Sequence, residues 1–236
     1  MIEKTSPLII AHRGSSEEAY ENSMEAFNLA VSQKADMIEL DSHLTSDGIF
    51  IIHHDKNIVF ENKKYLIKET PFKVIEKIQL PNGESIPILE DVLNDLLPNI
   101  QFNIEIKCKI NKQELDILLK RVGQDNTRIV VSSFRRDVMH ELKSSNMEYR
   151  LAFLYMIPST VSRRMSDKSY IHSLNAYHKF LSSRIIELYH KKNKEVNAWT
   201  VNREDDIKKF VRLGVNGIIT DHPPRAMKII KSINQV

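Results

Sequence analysis

The sequence predicts an α/β protein built as a parallel (β/α)8 barrel with a small insertion after the second strand. Eight short apolar, β-rich runs lie near residues 8–11, 37–41, 101–106, 128–132, 149–155, 169–174, 195–201 and 217–220. Helical patterns separate most of them, and strand–helix alternation is the mark of a parallel sheet with crossover helices. The 236 residues, 42% hydrophobic, match the ~200–250 residues that one such barrel occupies, so a single domain over 1–236 is expected.

The first run ends at His12-Arg13-Gly14. The first helix reads over 22–33, opened by Asn22 with Glu25 three residues on, the spacing of a capping box. The second run closes on Glu39-Leu40-Asp41. Alternation then lapses over 42–88, where Ser46-Asp47-Gly48 reads as a hairpin turn and a polar stretch follows. The stretch of about 56–87 is expected to be an insertion that rims the strand ends. Helices resume at 89–97, 112–122, 135–144, 181–191, 203–213 and 224–233. No helix is predicted between the fifth and sixth runs, and Arg163, Arg164 and Lys168 read there as a solvated loop. A doubly wound sheet is the competing architecture, but it calls for a Gly-rich phosphate loop after the first strand that this sequence lacks.

Composition narrows the function classes. The net charge of +3 is spread over 34 basic and 31 acidic residues without a long block of one sign, so nucleic acid is not the expected partner. A single cysteine, Cys108, excludes an intrachain disulfide framework and a Cys-rich zinc site, and fits a reducing compartment. The N-terminal apolar run is too short for a secretory signal, and no stretch reaches the ~18 apolar residues of a membrane helix. A cytoplasmic protein with no stable membrane insertion is expected.

The chemistry sits where the apolar runs end. Side chains alternate across a strand, so Glu39 and Asp41 share one face while Leu40 takes the other. The same parity groups Asn103, Glu105 and Lys107. If Glu105 lies on the neighbouring strand, three acids converge, and their repulsion calls for a counter-charge. A divalent cation supplies one, and all-oxygen ligation favours Mg²⁺, Ca²⁺ or Mn²⁺ over zinc. His12 and one of His53 and His54 are candidate proton carriers, since imidazole titrates near pH ~6.5. Arg13 and Lys107 add fixed positive charge of the kind a phosphate needs.

These pieces resemble the glycerophosphodiester phosphodiesterase family, whose fold is the TIM barrel. The matching motifs are His12-Arg13-Gly14, Glu21-Asn22, Ile38-Glu39-Leu40-Asp41, Asp47-Gly48, His54-Asp55, Asn103-Ile104-Glu105-Ile106-Lys107, Trp199-Thr200-Val201-Asn202 and Gly217-Ile218-Ile219-Thr220-Asp221. They span the chain in order. The resemblance implies Glu39, Asp41 and Glu105 as ligands of one Mg²⁺ or Ca²⁺ ion, and His12 with His54 as the acid/base pair. It further implies Arg13 and Lys107 as phosphate partners, Trp199 as an aromatic wall, and Glu21 and Asn22 as supports of the first loop. Lys34 stands where the family commonly has glycine.

The expected reaction is metal-dependent hydrolysis of a small-molecule glycerophosphodiester to glycerol 3-phosphate and an alcohol. The alternatives are a lysophospholipase D or phospholipase C-like lipid phosphodiesterase, and a non-catalytic barrel that only binds a phosphodiester.

Overall fold

The computed structural model describes residues 6–123, 125–145, 148–157 and 159–234. Eight parallel strands close on themselves: β1 (Leu8–His12), β2 (Met37–Leu44), β6 (Gln101–Ile106), β7 (Ile129–Ser133), β8 (Arg150–Tyr155), β9 (Ser173–Tyr177), β10 (Glu195–Trp199) and β11 (Gly217–Thr220). Closure comes from β1, which pairs with β2 on one side and β11 on the other. The helices α1 (Met24–Ser32), α3 (Leu89–Leu96), α4 (Lys112–Val122), α5 (Arg136–Leu142), α6 (Thr160–Ser166), α7 (Ser183–His190), α8 (Glu204–Leu213) and α9 (Pro223–Asn234) follow the strands in turn. The fold is the TIM barrel that the alternation predicts.

Between β2 and α3 lie β3 (Phe50–Ile52), β4 (Asn57–Phe60), β5 (Lys63–Leu66) and the single-turn α2 (Phe72–Ile75). Strand β3 folds back antiparallel on β2, so the added segment starts earlier than the expected residue 56. The β4–β5 hairpin turns at Glu61 and Asn62, whose φ values of 49° and 60° are those of a type I′ turn. Nor is the segment merely polar. Its isoleucines, too scattered for a periodic signal, gather with Leu80 into a second small core of Ile51, Ile58, Ile67, Ile75, Ile78 and Ile86. It is also tied to the barrel, because the Glu84 carboxylate accepts from the Met24 and Glu25 N–H groups at 2.9 and 3.1 Å. A carboxylate there satisfies two orphan donors at the positive end of α1.

The main core lies between sheet and helices, where Phe27, Phe102, Leu93 and Phe210 are fully buried. Burying each such side chain contributes ~1.5–3 kcal/mol. Ile10, Met37, Val130, Ala152 and Ile219 fill the barrel itself. That interior is packed closely enough to require glycine at 217: a Cβ there would lie 2.5 Å from Asn197 Oδ1 and 2.9 Å from Ile10.

Several local expectations are corrected. The cap of α1 is Ser23, whose hydroxyl accepts from Ala26 N–H at 3.1 Å, and the helix starts at Met24 instead of following Asn22. Asn22 has φ 57° and turns its side chain to the barrel mouth. The sixth parallel strand is Ser173–Tyr177, not 169–174, because Ser173 and Asn175 face the interior and break the apolar pattern. Arg163 and Arg164 lie on α6, not in a loop; that helix has almost no apolar period and starts on a capping box from Ser159 and Ser162. Lys34, just past α1, holds φ 63°, the left-handed conformation that glycine adopts more easily.

Candidate active site

Strand register assembles the site. His12 pairs across the ladder with Glu39, Glu39 with Asn103, and Asp41 with Glu105. Period-two alternation sends Leu40 into the helix layer and turns both acids of β2 inward. Carboxylate oxygens of Glu39, Asp41 and Glu105 thus come within 4.8 Å of one another, all three buried.

Their surroundings are unequal. Lys107 Nζ lies 3.1 Å from Asp41 Oδ1 and 2.9 Å from Glu105 Oε1. Arg13 Nε stands 3.1 Å from Asp41 Oδ2, an ion pair without hydrogen-bond alignment, and Asn22 Nδ2 donates to the same oxygen at 3.0 Å. Burial alone would raise the Asp41 pKa, but Lys107, Arg13 and Asn22 together hold it below the usual carboxylate range. Among the described residues Glu39 accepts only the Arg13 backbone N–H, at 3.0 Å, with the His12 ring 4.0 Å away. Burial and the adjacent Asp41 push its pKa up to about 8. Glu105 moves up for the same two reasons, with Lys107 opposing. Were all three ionised, the trio would carry more buried negative charge than Arg13 and Lys107 balance, and the excess would fall on Glu39, which keeps its proton instead. Beside it, the buried Asn103 amide has no hydrogen-bond partner at either atom among the described residues. Three carboxylates and a spare amide oxygen fit a hard divalent cation.

Arg13 is placed by backbone strain at the end of β1, where its φ is 56° and that of Gly14 is 83°. A Cβ on Gly14 would meet the Ala26 backbone at 2.7 Å, so this turn against α1 requires glycine. Glu21 Oε2 accepts from the Arg13 guanidinium at 2.8 Å and fixes its direction.

His12 Nδ1 donates to Asp221 Oδ1 at 2.6 Å, leaving Nε2 for the pocket. Burial lowers the His12 pKa, but the Asp221 hydrogen bond and the Glu39 charge outweigh it and the net movement is upward. Asp221 is held in turn by Ser16 at 3.1 Å and Asn202 at 2.5 Å. His54 Nδ1 donates to Asp55 at 2.8 Å. Burial, helped by Arg13 and Lys107, lowers the His54 pKa against the upward pull of Asp41 and Asp55. Behind it, the buried His43 donates Nε2–H to the His54 carbonyl at 3.2 Å, and burial pushes its pKa down to about 4.

One cavity of about 170 Å³ collects these groups. His12, Arg13, Glu39, His54, Glu105 and Lys107 line one side, with Phe134, Leu154, Met156, Trp199 and Ile219 opposite. Asp41 lies beneath it, reached through Arg13 and Lys107. Trp199 donates Nε1–H to the Asn175 carbonyl at 2.9 Å and meets Phe134 edge-on at 5.6 Å. A larger cavity of about 710 Å³ opens between α6 and α7 and contains none of these groups.

All eight residues singled out from sequence meet at this mouth. Sequence reasoning gave no role to Asp221, although it too ends an apolar run, Gly217 to Thr220, the signal that marked the others.

Fold and mouth together define a TIM-barrel enzyme with two histidines, three carboxylates and two cations gathered at the barrel mouth. Residues 12–225 match the model of the glycerophosphoryl diester phosphodiesterase family. A glycerophosphodiester phosphodiesterase from Caldanaerobacter subterraneus subsp. tengcongensis is 29% identical over 95% of this chain and 98% of its own. The crystal structure of a glycerophosphodiester phosphodiesterase from Parabacteroides distasonis superposes with TM-score 0.83 at 25% identity, covering 98% of this chain and 100% of that one. An Oleispira antarctica phosphodiesterase, solved in complex with its product sn-glycerol-3-phosphate, superposes with TM-score 0.86 at 22% identity over 96% and 97%. The chain belongs to the glycerophosphoryl diester phosphodiesterase family and is a phosphoric diester hydrolase.

Proposed function

We propose that the enzyme hydrolyses glycerophosphodiesters to glycerol 3-phosphate and an alcohol with the help of one divalent cation, Mg²⁺ or Ca²⁺, with Mn²⁺ as a further candidate. The observation that carries this is the cluster of Glu39, Asp41 and Glu105 within 4.8 Å, in the same mouth as His12 and His54. These three acids would hold the ion, which when bound supplies positive charge beside the phosphoryl oxygens. Arg13 and Lys107 bind the same oxygens and stabilise charge that develops on them. His12, oriented by Asp221, and His54 form the acid/base pair, one taking a proton from the nucleophile and the other protonating the departing alkoxide. Trp199 forms the wall against which the substrate is oriented. The product seen with the Oleispira antarctica enzyme is the product expected here. The same reading takes residues 1–236 as one domain, and its single cysteine fits a cytoplasmic enzyme.

The test is release of glycerol 3-phosphate from glycerophosphocholine and glycerophosphoethanolamine, first in EDTA and then with each cation restored. Loss in EDTA and recovery with a cation is the expected result. Full activity in EDTA overturns the metal role, and silence with every cation overturns this substrate class. The apolar side of the cavity favours a second reading, an alcohol that carries an acyl chain, and faster turnover of lysophosphatidylcholine than of glycerophosphocholine would establish it.

A further inference from the structure

Where β7, β8 and β9 end, the chain exposes Phe134, Met156, Ile157 and Phe180, which are 39%, 50%, 59% and 46% accessible. These strands are consecutive in the ring. Aromatic contacts link Phe134 to Trp199, Trp199 to Tyr177 at 5.1 Å and Tyr177 to Phe180 at 6.1 Å. The aromatic run therefore leads from the catalytic cavity out to Phe180, and Met156, next to Ile157 in the chain, lines the same cavity. Clustered exposed apolar side chains with a polar border mark a contact surface. Here the border is basic. Arg136, Lys179 and Arg184 are exposed and form no ion pair among the described residues, while the nearby Asp137 is already paired with Arg135 at 2.5 Å. Across the mouth the loops carry Glu17 and Glu21, each already paired with an arginine, Arg225 at 2.5 Å and Arg13 at 2.8 Å.

We propose that this half of the rim docks the enzyme on an anionic lipid bilayer. Phe134, Met156, Ile157 and Phe180 enter the headgroup region, and the three cations meet acidic headgroups. Because the apolar side chains and the three cations lie on one side of the mouth, the β7–β9 side lies down and the cavity opens toward the lipid. A second copy is a poorer occupant: a two-fold contact through this patch would set the unpaired cations against their own equivalents. The docking rests on the proposed function only in giving the cavity a membrane-derived diester, and binding itself needs no turnover.

The test is co-sedimentation of the full chain, in EDTA, with vesicles of phosphatidylcholine plus phosphatidylglycerol and with vesicles of phosphatidylcholine alone. Binding to the anionic vesicles is expected, weakened but not abolished by added salt. The double variant Ile157→Ser/Phe180→Ser, which leaves the cavity lining intact, should bind about tenfold less or weaker still with an unchanged Tm. No binding to anionic vesicles overturns the proposal. So does equal binding by the double variant, which would reduce the contact to charge alone. A dimer in solution that the double variant abolishes, without vesicle binding, would assign the patch to a second copy. Failure here leaves glycerol 3-phosphate release untouched, so the two readings fail separately.

Discussion

On the β1, β2 and β6 side of the mouth, the inward strand ends carry His12, Glu39, Asp41, Glu105 and Lys107, whereas the β8, β10 and β11 ends opposite carry Leu154, Trp199 and Ile219. The charged side is over-determined. Ladder register, the Asn22 and Glu21 contacts and the Lys107 bridge each fix a position, and a slip of one residue would turn the whole set out of the mouth. The apolar side is held by packing, which tolerates changes of shape far better. With the roles proposed above, the difference teaches that reaction chemistry and substrate fit are separately adjustable on one barrel.

The sharpest way to break this division is to remove the proposed proton carriers. His12→Ala and His54→Ala should each reduce turnover ~10²-fold or more if both act in proton transfer, with glycerol 3-phosphate release as the readout. Asp221→Asn should cost about tenfold or more and shift the His12 limb of the pH–rate profile to lower pH, because the group that raises its pKa is weakened. A histidine variant at full rate, or an Asp221→Asn profile that does not move, takes that residue out of the catalytic half.

Stability should respond in the opposite sense. In the metal-free enzyme Glu39 holds its proton up to about 8, above its ordinary 4.5, so the folded state keeps a proton that the unfolded chain has released. The stability this provides is full below pH ~4.5 and is lost as pH rises through about 8. Glu39→Gln cannot ionise, and in EDTA at pH 8 it should be more stable than the wild type by about 4 kcal/mol, a gap that narrows to about 1 kcal/mol at pH 5. Urea unfolding at both pH values reads this out. A pH-independent gap would mean that Glu39 does not bear the surplus charge.

The mildest effect belongs to the apolar wall. Trp199→Ala should raise KM about threefold to tenfold while kcat stays within about twofold, since the wall orients substrate without touching protons. A loss confined to kcat would erase the distinction between the halves.

Much of this division is legible in the sequence. His12, Glu39, Asp41 and Glu105 each end or interrupt a short apolar run, and period two alone predicts which of them share a face. Asp221 carries the same mark, but its partner His12 is 209 positions away, and no local spacing joins them. Strand β9 was displaced because polar Ser173 and Asn175 face inward, into a barrel whose interior is partly amide-lined. Helix α6 was invisible because capping, not amphipathic period, defines it. The second small core escaped because its isoleucines come from β3 through residue 86 and meet only once the segment is folded.

The bond between His12 and Asp221 also bears on biosynthesis. A nascent chain that has emerged only as far as β10 already contains His12, His54 and all three acidic residues, but it lacks both the strand that closes the ring against β1 and the carboxylate that orients the first histidine. Premature termination between residues 200 and 220 would thus give a product with nearly every proposed reactive group and no oriented His12, so that synthesis as far as Asp221 is itself a condition of competence.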